Sequence, residues 1–170
     1  MSIARLVATA IPTLVLAVLP AVASAQEASV HDPATRVGRA TTQRPAAQTV
    51  TVYRQKECEC CGRWAAHLRK AGFPVKVIDV ADVTATKVKY AVPEKLRSCH
   101  TALVGGYVVE GHVPADVIEK LLAEKPKDIV GLAAPGMPKG SPGMEMGGEK
   151  DHYEILAFDR HGNSTVYARR

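Results

Sequence analysis

β-branched residues dominate positions 49–54, TVTVYR, and predict a strand. In GRWAAHLRKAG, 62–72, the period changes: Trp64, Leu68 and Ala71 fall on one side of a helix, Arg63, His67 and Lys70 on another, and Gly72 supplies a stop. FPVKVIDV, 73–80, predicts a second strand. Asp82 or Thr84 can then cap a short helix toward Ala91, and Pro93 opens a further turn that runs out before Cys99. TALVGG and YVVEG predict two strands joined at Gly105-Gly106, a dipeptide suited to a tight hairpin. From Pro114 to Glu124 an amphipathic helix turns Val117, Ile118, Leu121 and Leu122 inward. YEILAF and STVYAR predict a C-terminal hairpin on a sheet edge, placed to hold the loop before it over the cysteines, with His161 a turn residue in DRHGN. A strand-helix-strand unit followed by a hairpin and a helix implies an α/β domain, a mixed β-sheet flanked by helices, without internal repeats.

The first 47 residues read differently. A single positive charge at Arg5, an apolar stretch from Leu6 to Val22 and the small residues Ala23-Ser24-Ala25 have the layout of a secretory signal peptide, residues 1–25, cleaved after Ala25. The competing reading, a retained membrane anchor, is opposed by Pro12 and Pro20 within the apolar run. Residues 26–47, with few large apolar side chains and no periodicity, read as a flexible lead in which His31 is solvated. The domain is then 48–170, and the expected compartment is the periplasm, with no membrane contact after cleavage.

The formal charge of +5, spread along 170 residues without a dense basic block, implies no nucleic-acid partner. Export changes the meaning of the thiols. Cys58, Cys60 and Cys61 crowd into four positions of KECECCGRW, with Cys58 and Cys61 as a C-x-x-C between the first strand and first helix. A helix N-terminus stabilises a thiolate there. This is the position of the redox pair in thioredoxin-like proteins, and SCHTALVGGYVVEGHVPADVIEKLL, 98–122, is similar to the matching glutaredoxin segment. Where those proteins carry a cis-proline before the third strand, this chain has His100, preceded by Cys99. On that resemblance Cys99 and His100 face Cys58, Cys60 and Cys61, and five ligand-type side chains converge.

Neighbouring thiolates repel unless cations intervene, and thiolates prefer soft or borderline cations, Cu(I) and Zn(II) foremost. The methionines after the signal, Met137, Met144 and Met146, all lie in APGMPKGSPGMEMGGEKDH, 134–152, where glycine and proline preclude a core element. Thioether ligates copper(I) well and zinc poorly, so their clustering favours copper.

With these residues in view, the chain resembles the CopG-type periplasmic copper-resistance proteins, long classed as a domain of unknown function. CECCGRW, SCHTALVGGYVVEGHVPADVI, GLAAPGMPKGSPGME and YEILAFDRHGNSTVYA carry the resemblance, over residues 49–168. It implies a thioredoxin-like fold and a cysteine-bridged copper cluster serving copper redox handling or detoxification, with copper ions and other periplasmic copper-handling proteins as partners. Cys58, Cys60, Cys61 and Cys99 match the family's cysteines, and Met137 and Met144 match methionines of its glycine-proline loop.

Bland readings stand beside these. Cys58–Cys61 could be a structural disulfide, as exported proteins use. Two other functions compete: a thiol-disulfide oxidoreductase using that pair, disfavoured by the missing cis-proline, and a zinc-stabilised domain held by Cys58, Cys61, Cys99 and His100, which leaves the methionines unused. His67 reads as solvated, His112 either approaches the site or merely precedes the helix, His152 flanks the loop as an outer ligand, and Trp64 packs in the core close enough to shield a cluster. No Ser/His/Asp, phosphate-cradling or paired-carboxylate arrangement stands out. An enzyme here would be a copper oxidoreductase.

Overall fold

The structure, a computed structural model, describes residues 48–170. The stretches read from sequence as a signal peptide, 1–25, and a lead, 26–47, lie outside the described residues. Strand β1, Val50–Arg54, is followed by helix α1, Glu59–Lys70, and strand β2, Val75–Asp79. Helix α2, Val83–Lys89, and a 3-10 turn, Glu94–Leu96, lead to the hairpin of β3, Thr101–Val104, and β4, Tyr107–Gly111. Helix α3, Ala115–Glu124, precedes β5, Gly131–Ala134, and the closing hairpin joins β6, Glu154–Phe158, to β7, Ser164–Arg169.

All seven strands form one mixed sheet in the order β2-β1-β3-β4-β5-β6-β7. β1 runs parallel to β2 and antiparallel to β3, while β4 runs parallel to β5. The two-residue periodicity sorts side chains between two cores. On one face Val52, Ala102, Val109, Leu132 and Ala157 are successive cross-strand partners. They pack with Trp64 and Leu68 of α1 and with Val117, Ile118 and Leu121 of α3. The other face carries a smaller cluster of Val92, Leu96, Val108, Ala133 and Phe158.

The hairpin turn, both long helices and the edge position of β7 match the sequence pattern. Three details differ. α1 begins at Glu59, so Cys60 and Cys61 belong to its first turn and Cys58 is its N-cap. β5 is an additional strand, four buried residues between β4 and β6, that tucks the C-terminal hairpin onto the sheet. His67 is half-buried, and its Nε2 accepts the Ala115 N–H at the start of α3 at 3.2 Å. That bond answers one of the free N–H groups of α3, whose N-cap, Pro114, offers no side-chain acceptor. No helix among the described residues is long and apolar enough to cross a membrane.

Candidate metal centre

The topology itself gathers the site. An antiparallel neighbour starts where its partner ends, so the residues entering β3 lie beside the turn that leaves β1. Arg54, the last residue of β1, holds this turn: its Nη1 donates to the Cys58 carbonyl at 3.0 Å and its Nε to Asp79 at 3.1 Å. Cys58 and Cys61 form a disulfide, and Cys60 and Cys99 are free. Cys60 Sγ lies 3.5 Å from Cys58 Sγ and 4.0 Å from Cys99 Sγ. The four sulfurs all lie within 4.8 Å of one another.

Cys99 is also the hinge of a second group. His100 Nδ1 is 3.3 Å from Cys99 Sγ and His112 Nε2 is 3.0 Å from it. A carbonyl oxygen can only accept, so the 2.8 Å contact of His112 Nδ1 with the Pro142 carbonyl assigns the proton to Nδ1. That leaves Nε2 with its lone pair toward Cys99, the orientation a carbonyl-anchored imidazole takes at metal sites. His100 is fully buried, and its Nε2 has no hydrogen-bond partner. Trp64 covers it, with ring centroids 4.3 Å apart, and the indole N–H donates to the Val113 carbonyl at 2.8 Å.

Burial sets the protonation of this pocket. It pushes the Cys99 thiol up to about 12, with the neighbouring Cys60 adding to the effect. Burial also holds His100 well below the ordinary imidazole range and lowers His112. Near neutral pH the pocket therefore holds an uncharged thiol beside two uncharged imidazoles, and an incoming cation has to displace the Cys99 proton. The donors fit such a cation: sulfur and neutral imidazole nitrogen, gathered around Cys99.

The glycine-proline loop seats on α1. Gly143, at φ +86°, lies so close that an added Cβ would stand 2.6 Å from the Cys60 carbonyl oxygen and 2.8 Å from the Trp64 nitrogen. Arg63 Nε donates to the Gly143 carbonyl at 3.0 Å. Met144 follows directly and is half-buried. Met137 is 55% exposed and lines a shallow groove with Pro138, Asp151, His152 and Tyr153. Met146 is 74% exposed, with Arg63 Nη2 3.7 Å from its sulfur.

Of the residues singled out in the sequence, Cys58, Cys60, Cys61, Cys99 and His100 come together directly. The loop reaches them at Pro142 and Gly143, whereas Met137 lies in its groove beside His152. His112 brings its imidazole closer to Cys99 Sγ than His100 does, 3.0 against 3.3 Å. Its signal was available: carrying the pairing of Thr101 with Glu110 outward by two residues sets Cys99 opposite His112.

Fold and site together define a small mixed α/β protein with a cysteine-histidine cluster suited to a soft metal. A family model described as "Protein of unknown function, DUF411" matches residues 96–144. The solved structure titled "Copper resistance protein copG- Form 2" is 43% identical with a TM-score of 0.69, covering 72% of this chain and 98% of that one. "Copper resistance protein copG- Form 1" is 44% identical with a TM-score of 0.68, covering 72% and 96%. No curated protein matches. The chain belongs to the CopG family of copper-resistance proteins.

Proposed function

We propose that this protein binds copper as cargo, holding Cu(I) on a thiolate cluster within a thioredoxin-like frame. It works in the periplasm as the 48–170 domain, after removal of the signal peptide. The ligands are Cys58, Cys60, Cys61 and Cys99, with His100 and His112 against Cys99 and the thioethers of Met144 and Met137 on the loop that approaches the cluster. The observation that carries this reading is the convergence of four sulfurs within 4.8 Å of one another. Such crowding favours soft cations that can be bridged by thiolate. The disulfide is the resting form of the metal-free site, and a dithiol reductant opens it by exchange, giving up two electrons and two protons and leaving as its own disulfide. Sulfur favours Cu(I), and the neutral imidazoles moderate that bias enough for the metal to change oxidation state.

The test is copper stoichiometry of the reduced protein, measured by elemental analysis, with sulfur count by X-ray absorption at the copper edge. Wild-type protein retains copper against excess zinc, and Cys58→Ser/Cys61→Ser loses it. Full stoichiometry in that variant overturns the reading. The disulfide at the N-cap of α1 favours a second reading, thiol-disulfide exchange. Robust insulin reduction by metal-free protein would promote it over the first.

A further inference from the structure

On the face of the sheet away from Trp64, the row running Thr101, Glu110, Ala133 and Leu156 contains a carboxylate where burial predicts an apolar side chain. Glu110 is fully buried, and its Oε1 lies 2.5 Å from the ammonium of Lys87, itself only 5% exposed at the side chain. Removing two charges from water offsets most of what their attraction returns, and apolar replacements of buried pairs are often neutral or stabilising. Stability alone is a poor reason for this pair to be here.

Its hydrogen bonds supply a better one. Glu110 Oε1 accepts the Ser98 N–H at 2.6 Å, and Oε2 accepts the Thr101 hydroxyl at 2.7 Å. The two oxygens of one carboxylate therefore grip the chain immediately before and immediately after Cys99-His100. Lys87 Nζ reinforces the grip by donating to Thr101 Oγ1 at 3.2 Å. The Ser98 hydroxyl donates in turn to the Gly136 carbonyl, tying the same corner to the residue before Met137. The Ser98–His100 corner has two other backbone fixed points: Ser98 makes one isolated bridge, to Gly136, and the His100 carbonyl accepts the Gly111 N–H at 3.0 Å.

We propose that Glu110, charge-balanced by Lys87, is a positioning residue of the metal centre that sets Cys99 and His100 against Cys60; this rests on the copper reading above. A carboxylate serves both arms as acceptor while Lys87 occupies the Thr101 oxygen. Glutamine could still bridge them, accepting the Ser98 N–H and donating to Thr101 Oγ1 once Lys87 is gone, so only an apolar side chain releases the corner.

The experiment measures Cu(I) affinity of the reduced full chain by competition with a bathocuproine-type chelator, and sulfur count by X-ray absorption. The neutral double variant Lys87→Met/Glu110→Met removes both arms of the grip without leaving a buried unpaired charge, and Thr101→Val removes one arm while keeping the ion pair. Each is compared with Cys99→Ser and combined with it. The double variant is expected to bind Cu(I) about tenfold to a hundredfold more weakly, the usual effect of removing a group that orients a ligand. Thr101→Val is expected to show a smaller loss in the same direction. In the Cys99→Ser background neither set adds its full loss, since both act through the same corner. Wild-type affinity and sulfur count in both variants would overturn the positioning role, as would losses that add in full to that of Cys99→Ser. Absence of Cu(I) uptake by wild-type protein would instead overturn the copper reading itself. A purely structural role for the pair lowers the unfolding midpoint and leaves the sulfur count of the folded fraction unchanged, and that result also refutes the proposal.

Discussion

Gly143→Ala, paired with Gly147→Ala, tests whether the loop is seated on the cysteine helix. The two glycines have nearly the same φ, +86° and +82°. An L-residue in that region costs about 1 kcal/mol at either site. They differ in surroundings: a Cβ at 147 meets nothing within 4 Å, whereas at 143 it meets Cys60 O at 2.6 Å, Trp64 N at 2.8 Å and Trp64 Cα at 3.2 Å. Those atoms are backbone of α1 and do not yield, so the loop must lift. Lifting forfeits the Arg63–Gly143 and His112–Pro142 hydrogen bonds, 3.0 and 2.8 Å long. A neutral bond contributes about 1 kcal/mol net, and one to a guanidinium roughly twice that. Gly143→Ala should therefore be destabilised by about 2–3 kcal/mol more than Gly147→Ala. Urea denaturation of metal-free, disulfide-intact protein, at unchanged m, reads the difference. Midpoints that agree to within ~0.5 kcal/mol would show that the loop does not rest on α1.

Trp64 is the only tryptophan in the chain and packs against His100 with its ring tilted by 44°, so its emission should be quenched as Cu(I) is titrated in and stay constant in Cys58→Ser/Cys61→Ser; equal quenching in both would show that copper beside His100 does not need those thiolates. Trp64→Phe deletes the donor to the Val113 carbonyl and leaves a buried acceptor unpaired, which should lower stability by roughly 2–3 kcal/mol; a change under ~0.5 kcal/mol in thermal or chemical melts would contradict the packing described. Burial lowers the pKa of His67, so below about pH 6.5 the unfolded chain takes up a proton that the folded chain refuses. That stability is present above ~6.5 and lost as pH falls through the lowered folded value, with His100 and His112 acting in the same sense. His67→Gln keeps an acceptor for Ala115 N–H and should flatten the acid limb of the stability curve; parallel curves for variant and wild type would refute the linkage.

Elements whose boundaries are set by local chemistry were legible in the sequence. Asp82 caps α2 through Thr84, and Gly105-Gly106 turns the β3–β4 hairpin, as their residue types require. β5 was not legible: GLAA is short, all buried and without alternation, so nothing local separates it from the loop that follows. The start of α1 was misjudged because three cysteines among polar residues carry no helical period, while their place in the fold comes from the packing of Cys61 and Trp64. Cys58, Cys60, Cys61, Cys99 and His100 could be grouped from sequence because the resemblance to thioredoxin-like proteins sets the C-x-x-C turn and the residues before the third strand side by side. His112 and Glu110 needed the hairpin register as well, and Lys87 needed the third dimension: on a short helix its charge gives no sign of burial.

The sheet also fixes what lies far from the chemistry. The β3–β4 turn at Gly105-Gly106 sits one strand length from His100, about 13 Å for four residues. A Cβ at Gly106 would meet no atom within 4 Å. That rim is thus open ground for grafting, at the backbone cost of about 1 kcal/mol that a side chain meets at φ +86°: a fluorophore, an affinity handle or a whole reporter domain attached at Gly106 leaves the sulfur-bearing rim untouched, and distances measured from it report on whatever docks there.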